Sequence, residues 1–259
     1  MKPILKTVPL FSKYQNLLQA FSTRVGGFSK APYDSLNLGM HSGDHRPSVL
    51  QNRRLFFKEL HVPEERLVFP EQIHSANVQL VKKPGIVMKC DALITSEKDL
   101  FLTIQTADCF PVFLFDPQAK AIGIVHSGWR GTAVNIVQKT IWHMEDRLNC
   151  RAENMIAAIG AGVQQSCYQV DTETASHFEA KYCLPDGPGH FKLDVQGAIT
   201  DQLLTAGLRK ENMEIDKTCT HCATKRYYSY RRDGKQSGRM MGVIGVRGKE
   251  SGHKMEDRR

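Results

Sequence analysis

The sequence predicts an α+β fold, a single domain in which a mixed or antiparallel β-sheet system is flanked by helices. Stretches rich in β-branched and aromatic residues recur at short intervals through the first two thirds of the 259-residue chain, and helical patterns are fewer. Strands without regular intervening helices indicate α+β organisation. Because no repeat, low-complexity segment or linker divides the chain, we predict one domain over residues 1–246. Residues 247–259, which include no aliphatic side chain, are predicted to form a flexible tail.

The strand predictions rest on short apolar runs bounded by turn-forming residues. The predicted strands are 67–72, 77–81, 91–95, 101–106, 111–116, 121–126, 155–160 and 241–246.

The clearest helix prediction covers residues 132–149, where apolar side chains recur at spacings of three and four and therefore share one face. A second helix is predicted over 47–60, with Pro47 near its first turn. Residues 172–182 and 193–208 are further helix predictions.

Composition and charge narrow the class of protein. A hydrophobic content of 41% and a formal charge of +8 are typical of a globular protein and exclude collagen-like and disordered chains. The longest apolar runs fall far short of the roughly 18 residues needed to span a bilayer. The start of the chain lacks the apolar core and cleavage site of a secretion signal. We therefore expect a soluble cytoplasmic protein with no membrane partner.

Reactive side chains concentrate at the ends of predicted strands. His74 precedes one strand, Cys109 lies between two, and His126 ends a third. The seven cysteines are an odd number, which favours metal ligands or a nucleophile over a disulfide framework. Two imidazoles and one thiolate suit a catalytic zinc that keeps one position open. Each residue alone is more commonly structural, so the prediction rests on the set.

Two further motifs could bind ligands. The turn SGWRGT after His126 offers glycines, Arg130 and a helix N-terminus to an anion, although a plain turn capped by Ser127 or Thr132 explains it equally well. The motif CTHC at 219–222 resembles half of a structural zinc site, but no second ligand pair lies at zinc-finger spacing.

The most basic segment is 225–239, in which Tyr227, Tyr228 and Tyr230 alternate with Lys and Arg. The bases of a nucleic acid could stack on the tyrosine rings of such a segment. A twisted strand pair with arginines on its solvent face is the simpler interpretation, and an anionic small substrate would suit the same charge.

The chain resembles the YfiH/LACC1 family of purine nucleoside phosphorylases, once described as polyphenol oxidases or laccases. The resemblance covers nearly the whole chain and is specific because many blocks keep the family's order. These blocks are FSTRVGGFSKAPYDSLNLGMHSGD, QNRRLF, QIHSANV, CDALIT, TADCFPV, GIVHSGWRGT, IGAGVQQSCYQV, CT.C and YYSYRRDGKQSGRM. Two departures are Ala161 and Gln169, where many members have proline and glutamate.

The resemblance implies a zinc enzyme that cleaves adenosine, inosine and methylthioadenosine with phosphate and also deaminates adenosine. It assigns the metal to His74, Cys109 and His126, in agreement with the choice made from the residues. For deamination we expect a zinc-bound water of lowered pKa to attack C6 of adenosine. For phosphorolysis we expect Arg24 and Arg130 to bind the anion and Asn37 to contact the ribose.

Other functions remain open at this point. A zinc or cysteine hydrolase that edits peptidoglycan precursors is one alternative, and Cys109 would be either ligand or nucleophile. A copper polyphenol oxidase is another, although the ten histidines include no H-x-H pair. A zinc-containing nucleic-acid-binding module is the non-enzymatic alternative. We expect no nucleic-acid partner and a monomer or small homo-oligomer.

Overall fold

The computed structural model describes residues 2–248, in which two six-stranded sheets lie face to face between helices. Its strands are, in chain order, β1 (Leu5–Lys6), β2 (Leu17–Ser22), β3 (Leu67–Pro70), β4 (Val78–Leu80), β5 (Gly85–Val87), β6 (Ala92–Thr95), β7 (Phe101–Thr106), β8 (Phe110–Asp116), β9 (Ala121–Ser127), β10 (Ile156–Ile159), β11 (Gln169–Asp171), β12 (Cys183–Pro185), β13 (His190–Leu193), β14 (Met213–Ile215) and β15 (Met240–Val246). Its α-helices are α1 (Pro9–Ser12), α2 (Arg46–Glu59), α3 (Trp129–Ala133), α4 (Ile136–Leu148), α5 (Thr172–Ala175), α6 (Val195–Thr205) and α7 (Tyr230–Asp233).

Both large sheets are mixed. The first has the order β1-β2-β15-β7-β3-β5, and the second has the order β14-β10-β8-β9-β6-β4. In the second sheet β10, β8, β9 and β6 pair antiparallel, whereas the edge strands β14 and β4 pair parallel. A small antiparallel sheet, β11-β13-β12, lies apart from these two. The predicted fold class is therefore confirmed.

The core has three layers of apolar contact. One side of β8 packs Val112 and Leu114 against α4 and α6, and its other side packs Phe113 against the first sheet. The first sheet in turn packs against α2. Because β8 and β9 are buried on both faces, their sequences are continuous apolar runs rather than alternating ones.

All eight predicted strands are present with small shifts at their ends, and the helix predicted over 47–60 is α2. The helix predicted over 193–208 is α6, somewhat shorter than expected. Domain limits at 1–246 stay a prediction. β15 ends at Val246, and residues 249–259 of the expected tail lie outside the described part of the chain. No helix among residues 2–248 is long and apolar enough to cross a membrane.

Two helix predictions need correction. Residues 132–149 do not form one helix, because Asn135 adopts a left-handed φ of 61° between α3 and α4. The Thr132 carbonyl there accepts a hydrogen bond from Gln202 of α6 instead of continuing the helix. Residues 172–182 form only α5 and a later 3₁₀ turn, since Tyr182 is anchored through its hydroxyl to Asp201 of α6.

The basic segment also differs from expectation. It forms α7 and a 3₁₀ turn before β15, not a strand pair. Tyr227 and Tyr228 are fully buried in the core between the sheets, so they cannot stack on bases. Tyr230 alone of these three tyrosines is exposed. Burial of the large tyrosine rings is favourable enough to place Tyr227 and Tyr228 in the core, although charged residues adjoin them in the sequence.

Candidate functional site

The pairing of β6, β9 and β8 brings Asp91, Cys109 and His126 together, because the ends of these strands are neighbours on one side of the second sheet. Phe110 pairs with Ser127, which places Cys109, just before β8, beside the end of β9 that carries His126. Ala92 pairs with Val125, and the His126 N–H donates to the Asp91 carbonyl at 2.7 Å. Residues far apart in the chain thus meet because antiparallel register fixes which strand ends are neighbours.

His74 reaches the same strand ends from the loop between β3 and β4. This loop wraps around the buried Asp91 carboxylate, which accepts hydrogen bonds from the His74 N–H at 3.0 Å and the Ser75 N–H at 2.6 Å. The Ser75 hydroxyl donates to the same carboxylate at 2.8 Å. His74 has a left-handed φ of 59°, a conformation that these bonds hold in place.

The ligand atoms of His74, Cys109 and His126 all lie within 4.8 Å of one another. The two imidazole rings are edge to face, with centroids 4.8 Å apart. His126 Nδ1 is hydrogen-bonded to Asp91 Oδ1 at 2.8 Å, which leaves Nε2 to face the cluster. A carboxylate behind a histidine is the usual support of a metal-ligating imidazole. The structure therefore brings together all three predicted metal ligands.

Gly128, which follows β9 and caps α3, lies against the cluster. A Cβ at this position would come within 2.8 Å of Cys109 Sγ and 3.4 Å of the His74 ring. Only a residue without a side chain leaves the sulfur in place. The glycine of the SGWRGT turn thus shapes the cluster, and α3 is a helix of five residues whose cap has no side-chain hydrogen bond.

The pKa values of Cys109 and His126 depend on each other and on their buried surroundings. Burial opposes ionisation of Cys109, but the charges and hydrogen bonds of His126 and His74 outweigh it and lower the pKa of the thiol. Burial likewise opposes a charged His126, but the Cys109 thiolate and Asp91 raise the pKa of His126. The site therefore stabilises a thiolate, the form of cysteine that binds metals.

Trp129, the residue after Gly128, forms part of the wall of a cleft of about 370 Å³, so this wall continues from the turn that contacts the cluster. Tyr168 and Arg231 also line the cleft. Burial raises the pKa of Tyr168, and the charge of Cys109 adds to this, whereas Arg231 and Arg130 oppose it. The cleft thus combines two aromatic faces and one arginine near the cluster.

The other residues expected to bind substrate take different places. Arg130 is exposed, with its guanidinium 4.3 Å from the centre of the Trp129 ring at the cleft. Arg24 lines a second cleft of about 380 Å³, stacks on Tyr228 and donates to the carbonyl and the carboxylate of Asp34. Asn37 is fully buried, and its amide nitrogen donates to Ser42 and Asp44. Their roles toward substrate stay predictions.

Several residues that line or support the site were not foreseen. Asp91 begins the predicted strand 91–95. It contacts His126 only because β6 pairs with β9 in a particular register, which the sequence does not reveal. Arg239 is mostly buried; burial lowers its pKa, and the negative charges of Cys109, Tyr230 and Asp108 oppose that shift. Gln169, one of the two departures from the family pattern, lines the cleft and donates to Asp186 at 2.7 Å.

Known proteins are similar to this chain over most of its length. A family model described as "Multi-copper polyphenol oxidoreductase laccase" matches residues 18–247. "Purine nucleoside phosphorylase YlmD" of Geobacillus stearothermophilus is 34% identical over 255 residues, covering 90% of this chain and 92% of that protein. "Purine nucleoside phosphorylase" of Deinococcus radiodurans is 37% identical over 231 residues, covering 88% of each chain.

Two solved structures are similar over nearly their whole length. The crystal structure of YlmD from Geobacillus stearothermophilus has a TM-score of 0.89 and 32% identity, covering 96% of this chain and 97% of that one. The crystal structure of Bacillus licheniformis hypothetical protein YfiH has a TM-score of 0.89 and 28% identity, covering 95% and 97%.

Proposed function

Because the chain belongs to the family described as multi-copper polyphenol oxidoreductase laccase, the YfiH/LACC1 family whose curated relatives are named purine nucleoside phosphorylases, we propose that it is a zinc-dependent purine nucleoside phosphorylase. Its substrates in this proposal are phosphate and a purine nucleoside such as adenosine, inosine or methylthioadenosine. The products are the free base and ribose 1-phosphate.

One observation carries the proposal: a cluster of two imidazoles and a thiol lies close to a cleft with aromatic walls and an arginine, because Gly128, which contacts the cluster, is followed by Trp129 of the cleft wall. Three protein ligands are the number in a catalytic zinc site, which keeps one position open. His74, Cys109 and His126 would hold the ion, and Asp91 would orient His126. Bound there, zinc would supply a Lewis acid beside the substrate.

The residues of the cleft suit the two substrates. The faces of Trp129 and Tyr168 can stack on a purine or cover the apolar side of a ribose. Arg130 and Arg231 lie beside Tyr168 and can bind the phosphate. Arg239 adds a mostly buried cation near Cys109. Phosphorolysis needs phosphate next to the anomeric carbon and a stabilised purine leaving group, and the cleft provides groups for both.

Adenosine deamination is a second activity that we propose for the same site. It requires water to replace the amino group at C6 of the purine, so the base would lie with C6 toward the metal cluster. Phosphorolysis requires the anomeric carbon near the phosphate instead. The two activities therefore need different groups of the cleft, and substitutions can separate them.

The test is metal analysis of the purified protein together with a chromatographic assay of adenosine, with and without phosphate. We expect zinc, phosphate-dependent adenine and ribose 1-phosphate, and inosine from deamination. His126→Ala and Cys109→Ala should lose turnover and zinc at this cluster. Cys183→Ser, which alters a half-buried thiol outside this cluster, is the matched control.

Other outcomes would replace the proposal. A metal-free variant with full nucleoside turnover would remove zinc from the mechanism. Zinc without nucleoside turnover would favour a hydrolase of peptidoglycan precursors, and copper with phenol oxidation would favour the oxidase. Nucleic-acid binding with a steep salt dependence and no turnover would favour the binding module.

A further inference from the structure

A second cluster of thiols lies outside the site described above. The sulfur atoms of Cys167, Cys219 and Cys222 lie within 4.8 Å of one another, and those of Cys167 and Cys222 are 3.2 Å apart. Sulfurs that bind one tetrahedral zinc at about 2.3 Å are about 3.8 Å apart, which is longer than the Cys167–Cys222 separation and within the 4.8 Å limit for the three sulfurs. Convergence of three thiols, rather than two, is what a metal site requires and a disulfide does not.

The backbone is arranged around Cys219 in the way that suits a thiolate. The N–H of Gln164 donates to Cys219 Sγ at 3.4 Å. The backbone N–H groups of Cys222 and His221 also donate hydrogen bonds to this sulfur. Hydrogen bonds of this kind stabilise a sulfur that carries negative charge.

The loop that carries Cys219 and Cys222 is held by hydrogen bonds to two other segments of the chain. Thr220 donates its N–H to the Gly162 carbonyl at 3.0 Å, and Gly162 forms a β-bridge with Cys219. Arg232 Nη1 donates to the carbonyls of Thr220 and His221, both at 3.0 Å. The sulfurs are therefore preorganised before a ligand binds.

We propose that Cys167, Cys219 and Cys222 form a second metal site, which binds a thiophilic divalent cation such as Zn²⁺ through three thiolates. Each thiol that is still protonated releases its proton to the solvent as its bond to the cation forms. Cys222 is exposed, so the fourth position of the ion faces solvent. This proposal does not depend on the nucleoside activity of the first cluster.

The site is connected to the first cluster through one residue. Thr220, between two of the cysteines, donates its hydroxyl to Asp108 Oδ1 at 2.7 Å. Asp108 has a left-handed φ of 85° and directly precedes Cys109. The Arg231 N–H, from α7, donates to the other oxygen of Asp108 at 2.6 Å. A cation held by the three thiols would fix this loop and so help to hold Cys109 in position.

The test is titration of reduced, metal-stripped, tag-free protein with Zn²⁺, followed by metal analysis after desalting. The wild type should retain zinc at both clusters, His126→Ala only at the three-thiol site, and Cys222→Ser only at the first cluster. The double variant should retain none, and the control Cys183→Ser should match the wild type. Cys222 and His74 are exposed, so Cys222→Ser and His74→Ala keep the test valid if His126→Ala fails to fold.

A spectroscopic measurement distinguishes the two sites directly. Co²⁺ bound by three thiolates gives stronger thiolate-to-metal charge-transfer absorption than Co²⁺ bound by one. We expect the strong band in His74→Ala and its loss in Cys222→Ser. The proposal is overturned if the wild type binds zinc only at the first cluster, or if the reduced protein takes up no cation at these thiols and recovers a Cys167–Cys222 disulfide on exposure to air.

Discussion

Replacement of Asp91 by asparagine tests whether this carboxylate organises the metal cluster. Asp91 is fully buried, and each of its oxygens accepts at least two hydrogen bonds. An asparagine must turn its NH₂ group toward one pair of donors. His74 N–H and His126 Nδ1 form one pair, and the two donors of Ser75 form the other. Neither orientation satisfies both.

The magnitude follows from the bonds that are lost. Two hydrogen bonds to a charged group contribute roughly 1.5–3 kcal/mol each, so Asp91→Asn should lower the free energy of unfolding by about 3 kcal/mol or more. A protein of ordinary stability, about 5–15 kcal/mol, should still fold. Loss of the partner that orients a metal-ligating histidine typically weakens metal binding by about 10-fold to 100-fold.

The assay is competition for zinc with a chromophoric chelator, together with urea unfolding of the metal-free proteins. Asp116→Asn is the matched control, because Asp116 is also buried and accepts three backbone N–H bonds. It lies at the opposite end of β8, roughly 20 Å from Cys109 at about 3.3 Å per residue. It should lose stability but keep its zinc affinity. Unchanged zinc affinity in Asp91→Asn, or an equal loss in Asp116→Asn, would refute the reasoning.

Three further substitutions test other parts of the structure. Gly128→Ala should displace Cys109 Sγ and weaken zinc binding at least 10-fold with little loss of stability; wild-type affinity would show that the turn relaxes. Phe113→Ala removes a fully buried ring between the sheets and should cost about 3–5 kcal/mol in urea unfolding; a loss below about 1 kcal/mol would contradict the packing. The hydrogen bonds and charge of Lys192 and the hydrogen bond of Gln169 lower the pKa of Asp186. The stability they give is fully present above the unfolded pKa of about 3.9 and is lost as pH falls from there through the lower pKa of the folded protein. Asp186→Asn should remove that part of the acid dependence, and an unchanged pH profile would count against the ion pair.

The convergence of three reactive side chains could be predicted because they stand at strand ends, where such side chains are conspicuous among apolar runs. His74, Cys109 and His126 carry this signal in their own neighbourhoods. Asp91 carries none, since an aspartate before a strand is common, and its role arises only when β6 pairs with β9. Trp129 and Tyr168 likewise meet through tertiary structure, so their joint cleft has no local signature in the sequence.

The fold was also predictable where local sequence determines an element and unpredictable where tertiary contacts determine it. Strands such as β8 and β9 are buried on both faces, so their composition alone identifies them. The break at Asn135 could not be foreseen, because apolar periodicity continues through it and the competing hydrogen bond comes from Gln202 on another helix. Residues 172–182 also keep helical spacing, but the small sheet and the contact of Tyr182 with Asp201 determine their conformation.

The description of the family suggests that copper in this protein could oxidise phenols. The number of histidines available as copper ligands argues against a multicopper oxidase. A centre of two histidines and one cysteine is a ligand set that a single copper can share with zinc. A multicopper oxidase needs further imidazole-bound copper ions to reduce O₂. Within residues 2–248 only one of the two candidate metal-binding groups contains histidine, and the other consists of thiols alone. Copper-loaded protein should therefore exchange single electrons with a phenol without sustained O₂ consumption. Continuous O₂ uptake in an oxygen electrode, lost in His126→Ala, would reverse this conclusion.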